Sequence, residues 1–166
     1  MLVEMTLGSI RVELPTNTPV VFLQEAGDGR RTLPILIGHP EATAIAYALQ
    51  GIETPRPMTH DLLRDVLSTL EASVEAVVVT TLVKGVYYAE IRMRLGTRSF
   101  VVSSRPSDAI ALAVRVGAPI FAEEPLLEAE AVVAEAGGEE EGEEQEEVIE
   151  EFTKFIEDVR PEDFAS

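Results

Sequence analysis

Apolar and polar residues alternate at both ends of the first segment, Val3-Glu4-Met5-Thr6-Leu7 and Ile10-Arg11-Val12-Glu13-Leu14, the pattern of half-buried strands. Gly8-Ser9 between them fits either a hairpin turn or a bulge within one long strand. Pro19 to Gln24 and Leu33 to Ile37 read as two further strands around the turn Ala26-Gly27-Asp28-Gly29. Glu41 to Leu49 is a helix rich in small residues, stopped by Gly51. The segment Ile52 to Met58, with Pro55 and Pro57, must be an irregular loop. Thr59 is a good N-cap for a helix from His60 to about Glu71, whose Leu62, Leu63, Val66, Leu67 and Leu70 fall at helical spacing. Strand patterns return at Val74–Val83, Val86–Met93 and Ser99–Val102, followed by a second small-residue helix, Pro106–Val114, with proline in its first turn. Pro119-Ile120-Phe121 reads as a short strand and Pro125–Ala134 as a last helix.

These elements predict an α+β fold, with mixed or antiparallel sheets and Ala-rich helices packed on them. The pattern also repeats at an offset of 65, most clearly where Ala44-Ile45-Ala46-Tyr47-Ala48 sits over Ala109-Ile110-Ala111-Leu112-Ala113. Each unit would be three strands and a helix, an internal βββα duplication. The alternative is that any two strand–helix units look alike.

Charge divides the chain differently. Residues 1–133 hold 16 acids and 11 bases, whereas 134–166 hold 14 acids and 2 bases; the total is −17. We expect a folded domain over 1–133, an acidic low-complexity linker over 134–147 and an amphipathic helix and tail over 148–166. In that last segment Val148, Ile149, Phe152, Phe155, Ile156 and Val159 form an apolar stripe suited to a groove on its own domain or on a protein partner. The acidic balance is not that of a protein living on nucleic acid, where Lys and Arg supply most of the affinity. Nucleic-acid chemistry would need a local basic patch or bound cations. Cysteine is absent and only His39 and His60 are present, so thiolate chemistry and three-histidine zinc sites are excluded. No basic segment followed by an apolar run opens the chain, and no stretch approaches ~18 apolar residues. The expectation is therefore no membrane span and a cytoplasmic protein.

Two polar clusters each lead into a helix: Pro55-Arg56-Pro57-Met58-Thr59-His60-Asp61 and Ser103-Ser104-Arg105-Pro106-Ser107-Asp108. Both place an arginine before a proline and a carboxylate in the first helical turn. Free N–H groups there attract anions, and an arginine adds a bidentate clamp for phosphate or carboxylate. For either cluster taken alone, capping and loop-locking ion pairs are the plainer explanation of the same residues. His39, before Pro40, reads as a loop residue.

The segments Leu33-Pro34-Ile35-Leu36-Ile37-Gly38 with Glu41-Ala42, then Pro55–Leu62, then Arg105–Ala113, resemble the bifunctional nuclease family in kind, order and spacing. The resemblance covers about residues 1–133 and a C-terminal Phe155–Phe164 tail. It implies a compact α+β domain, self-association (a dimer preferred), and nuclease activity on DNA and RNA. Phosphodiester cleavage needs an activated water, charge stabilisation at phosphorus and a leaving-group acid. His60, Asp61 and Asp108 are the candidate catalytic residues. Arg56, Arg105, Ser107 and Thr59 are the candidates for substrate binding. Asp61, Asp108 and Glu41 could hold Mg²⁺ or Mn²⁺. Two readings from other classes stand beside this one: a non-enzymatic oligomeric interaction module, and an anion- or nucleotide-binding regulatory domain.

Overall fold

The two N-terminal alternating segments are one strand. In the computed structural model, which describes residues 1–133, β1 runs Leu2–Glu13, and its register against β2 (Thr18–Glu25) slips between Leu7 and Ser9. Gly8 is thus a β-bulge rather than a hairpin turn. β3 (Arg31–Leu36), α1 (His39–Gln50) and α2 (Thr59–Thr69) follow. Next come β4 (Ala72–Val83), β5 (Val86–Leu95), β6 (Arg98–Ser104) and α3 (Pro106–Val116). β7 (Ile120–Glu123), α4 (Glu124–Glu130) and β8 (Val132–Val133) end the described chain. The expected last helix is shorter than its pattern, because Ala131 leaves helical geometry and Val132–Val133 pair with β3. The acidic linker (134–147) and the amphipathic segment (148–166) lie outside the described residues.

The strands form a single mixed sheet in the order β6-β5-β4-β7-β1-β2-β3-β8. All pairings are antiparallel except β4 with β7. Three strands and a helix occur twice, and the two triplets flank β7 symmetrically. β1 runs against β7 and β4 runs with it, so β1 and β4 point in opposite directions, as a twofold normal to the sheet requires. The repeat is one of elements: β4 begins 70 residues after β1, and α3 begins 67 after α1. Different hairpin lengths cause that drift. At the helix starts Ala42, not Ala44, is therefore the counterpart of Ala109, and Glu41 is the counterpart of Asp108.

α1 and α3 pack on each other and on the sheet. Their buried faces are Ala42, Ala44, Ala46 and Ala109, Ala111, Ala113, small side chains that permit close helix approach. Val21, Leu23, Leu33, Ile35, Val77 and Val79 supply the sheet side of the same core, with Ile45, Ile110 and Leu112 from the helices. Burial of this kind stabilises by about 1.5–3 kcal/mol per large side chain. α4 is tied back by Arg31, which meets Glu25 at 2.8 Å and Glu124 at 2.6 Å. No helix of the described residues is long and apolar enough to cross a membrane.

Candidate functional site

The path from α1 to α2 is fixed at both ends. Gly51 adopts the left-handed conformation (φ 65°) that lets Ile52 N–H donate to Tyr47 O at 2.9 Å. Ile52 and Met58 then pack on Ala46 and Tyr47, closing the proline-rich loop between them. Thr59 is the first helical residue of α2 and Met58 its cap, one residue earlier than the expected capping by Thr59. Asp61 supplies the return half of a capping box: its Oδ2 accepts from Met58 N–H at 3.1 Å. This start turns His60 inward, where it is 7% exposed, and leaves Thr59 and Arg56 on the surface.

α3 starts in the same style, with Arg105 as the extended cap residue and Pro106 in the first turn. Asp108 points back across the start. One of its oxygens, Oδ1, lies 2.9 Å from His60 Nε2. An ionised carboxylate only accepts, so Nε2 carries the proton in this pair. Arg105 donates Nε to Asp108 Oδ2 at 2.6 Å and Nη2 to Oδ1 at 3.0 Å. The same Nη2 reaches Glu41 Oε1 at 2.9 Å. Glu41 belongs to the first turn of α1, folded over Gly38, where a Cβ would strike the Glu41 carboxylate. Three helix starts thus meet in one hydrogen-bonded chain, Glu41–Arg105–Asp108–His60.

Burial pushes the Asp108 carboxyl upward, but the bonds from Arg105 and His60 outweigh it and hold the group below its ordinary range. Arg105 is raised in turn, chiefly by its bond to Asp108. Asp61 is a separate centre. Burial raises it, while Arg115 and the Met58 N–H lower it, with a net downward shift. Arg115 Nε meets Asp61 Oδ1 at 2.6 Å and Nη1 donates to Ala111 O at 2.9 Å, on a side chain only 4% exposed.

The structure therefore joins His60, Asp108, Arg105 and Glu41, and sets Asp61 aside on Arg115. Arg56 makes no side-chain bond to this chain of groups among the described residues, and Thr59 and Ser107 contribute none either. His39 opens α1 rather than sitting in a loop. Arg115 escaped the sequence reading. Its signal was available, since an arginine on a helix as apolar as Ala109–Val116 must find an acid when it is buried.

The carboxylates expected to hold Mg²⁺ or Mn²⁺ are split: Glu41 and Asp108 meet on Arg105, and Asp61 lies apart on Arg115. Among the described residues no three His, Asp or Glu side chains group to hold a metal. In this arrangement arginines engage carboxylate oxygens that such an ion would use. Two clefts flank the network. One, of about 320 Å³, opens beside Asp61 and Arg115 under the 52–57 loop; the other, of about 330 Å³, opens beside Arg105.

The profile of the Bifunctional nuclease domain matches residues 21–135, which include every residue of this network. The chain belongs to the bifunctional nuclease domain family. An uncharacterized protein of Mycobacterium tuberculosis is 43% identical over 163 residues, 97% of either chain. Bifunctional nuclease 2 of Arabidopsis thaliana is 34% identical over 113 residues, 64% of this chain and 34% of that protein. Bifunctional nuclease 1 of Oryza sativa subsp. indica is 26% identical over 114 residues, again about a third of that protein's length. The plant members thus match over about two thirds of this chain and about a third of their own length.

Proposed function

We propose that the protein is a nuclease that hydrolyses phosphodiester bonds of DNA or RNA at the junction of the three helix starts. The observation that carries this reading is the direct bond between His60 and Asp108 under Arg105, because it brings an acid–base group and a phosphate-binding cation into one place. Arg105 is 64% exposed, and neither carboxylate uses its Nη1, which leaves that edge for a phosphate oxygen. Asp108, 28% exposed, is the member of the pair that a substrate water can reach. His60 Nε2–H already points at Asp108, so the imidazole orients that carboxylate while Asp108 carries the proton. The attacking water gives its proton to Asp108 as the new O–P bond forms. Asp108 returns that proton to the leaving oxygen as the other O–P bond breaks.

The test is a gel assay of purified protein with single-stranded DNA and RNA, in Mg²⁺, in Mn²⁺ and in chelator. Cleavage is expected with Mg²⁺ or Mn²⁺, with a loss of at least ~100-fold in His60→Ala and Asp108→Asn, and the chelator arm reads whether a divalent cation takes part. Wild-type rates in both variants would overturn the assignment.

One observation favours a second reading. Each carboxylate of the junction already has a cation or imidazole partner, as in a clasp that only locks helices. In that case the protein is an interaction module, with β6 as its surface. β6 is an edge strand, with Val101 59% and Val102 46% exposed, and a second copy would cover it. A dimer by native mass, lost on Val101→Lys with no cleavage by any preparation, is the result expected of that reading.

A further inference from the structure

The cleft beside Arg105 is unlike the one beside Asp61. Its walls come from the end of β3 (Leu36, Ile37), the start of β5 (Val86, Tyr87) and Pro106 of α3, all apolar or aromatic. Its volume, about 330 Å³, falls at the lower end of small-ligand sites, ~300–1,000 Å³. Leu36 and Val86 are 60% and 55% exposed, so the wall is open to an incoming ligand. Tyr87 is held in place by its hydroxyl, which donates to Pro34 O at 3.3 Å.

One cation lines this apolar slot. It is Arg105, with Nη1 unused by Asp108 and Glu41. Lys84 and Gly85 form the tight turn between β4 and β5, with φ 51° and 79°. Gly85 lines the slot, and the exposed Lys84 precedes it in the chain.

We propose that this cleft is a nucleotide subsite, taking one unpaired base of a single strand against Val86, Tyr87 and Leu36 while its phosphate sits on Arg105. The assignment rests on the nuclease reading and adds to it the strand's orientation and its single-stranded character. A flat apolar ring joined to an anion matches an aromatic, aliphatic slot lined on one side by an arginine. A base inside a duplex is stacked and paired on all sides and cannot enter. With few cations at hand, the base contact carries a large share of the affinity.

The test is binding, read by fluorescence anisotropy of a labelled short oligothymidylate at low salt. The abasic oligomer of equal length, a duplex and free thymidine monophosphate serve as comparisons. Val86→Asp and Leu36→Asp change exposed side chains, and unchanged circular dichroism and melting verify their folding. The expected result is about tenfold or greater weakening for the abasic oligomer, for the duplex and for each variant. Equal affinity for abasic and base-bearing oligomers, or wild-type affinity in both variants, overturns the subsite. Thymidine monophosphate binding as tightly as the oligomer also overturns it, because the cleft then serves free nucleotides. Base-dependent binding without cleavage supports the subsite and removes the nuclease reading. Cleavage that ignores the base and both variants does the reverse.

Discussion

His60 and Asp108 stand 48 residues apart in the chain, yet Nε2 of one and Oδ1 of the other are 2.9 Å apart. One comes from the helix that links the two repeats and the other from the helix that ends the second. Arg105 touches the same carboxylate from the solvent side and reaches Glu41, its structural counterpart. The pairing of α1 with α3 thus brings the repeat's two acids onto one guanidinium.

His60→Gln should show what the imidazole does for Asp108. Glutamine can still donate to the carboxylate, so folding should survive and cleavage should stay well above that of His60→Ala. A melting temperature within about 3 °C of wild type, with at least ~10-fold more cleavage than His60→Ala, is the expected pair of results. A Gln variant as inactive as His60→Ala would show that the ring itself takes part in proton transfer.

Asp61→Asn should be the more damaging change for stability. It removes the counter-charge of the nearly buried Arg115 guanidinium, leaving it only neutral acceptors, an amide oxygen and the Ala111 carbonyl. Leaving a buried charge without its counter-charge costs up to about 3–5 kcal/mol. Urea unfolding should show the loss as a lower midpoint with an unchanged slope. Arg115→Met, which removes the cation as well, should cost less than Asp61→Asn.

Stability should fall on the acid side. Asp61, Asp108, Glu25 and Glu124 all sit below their ordinary values of 3.8 for Asp and 4.5 for Glu. A carboxyl lowered by folding contributes stability that is complete above its unfolded pKa. That contribution is lost as pH drops through the folded value. Melting temperature should therefore hold steady from pH 7 to about 5 and decline below about 4.5. Arg31→Ala should flatten part of that decline, since it removes the shared partner of Glu25 and Glu124.

Gly38→Ala should act at a distance from its own backbone. The added methyl meets the Glu41 carboxylate, the mobile end of a side chain, so the cost in stability should stay under about 1 kcal/mol. Displacing Glu41 releases one of the acids on Arg105. Oligonucleotide binding should strengthen modestly, by roughly twofold to fivefold.

Deleting residues 137–166 should leave a folded domain. Among the described residues the core cluster runs from Met5 to Leu127, with Ala131 packed beside it. A two-state melt with a midpoint near that of the full chain is expected, as calorimetry would record.

Much of this was legible from periodicity. The strands, both Ala-rich helices and the two arginine-bearing helix starts followed from local pattern. That the starts touch did not, because contact across 48 residues depends on how α2 crosses α3. Thr59 looked like the cap through its hydroxyl, whereas Met58 is the cap and Asp61 reaches back from the first turn to its N–H. Glu41, Asp61 and Asp108 looked like cation ligands because type and spacing show carboxylates but not the arginines that engage them. Ile120–Glu123 was readable as a strand, but its place between the two triplets was not, since four residues carry no record of their neighbours.

That placement has a consequence for how the protein is made. β7 is paired on one side with β1 and on the other with β4, which do not pair with each other. A nascent chain that has not yet delivered Ile120–Glu123 holds two half-sheets, each with an open edge suited to wrong partners. The central seam closes only when this short segment emerges from the ribosome. Synthesis is then a race between one late insertion and edge-to-edge association of two early halves.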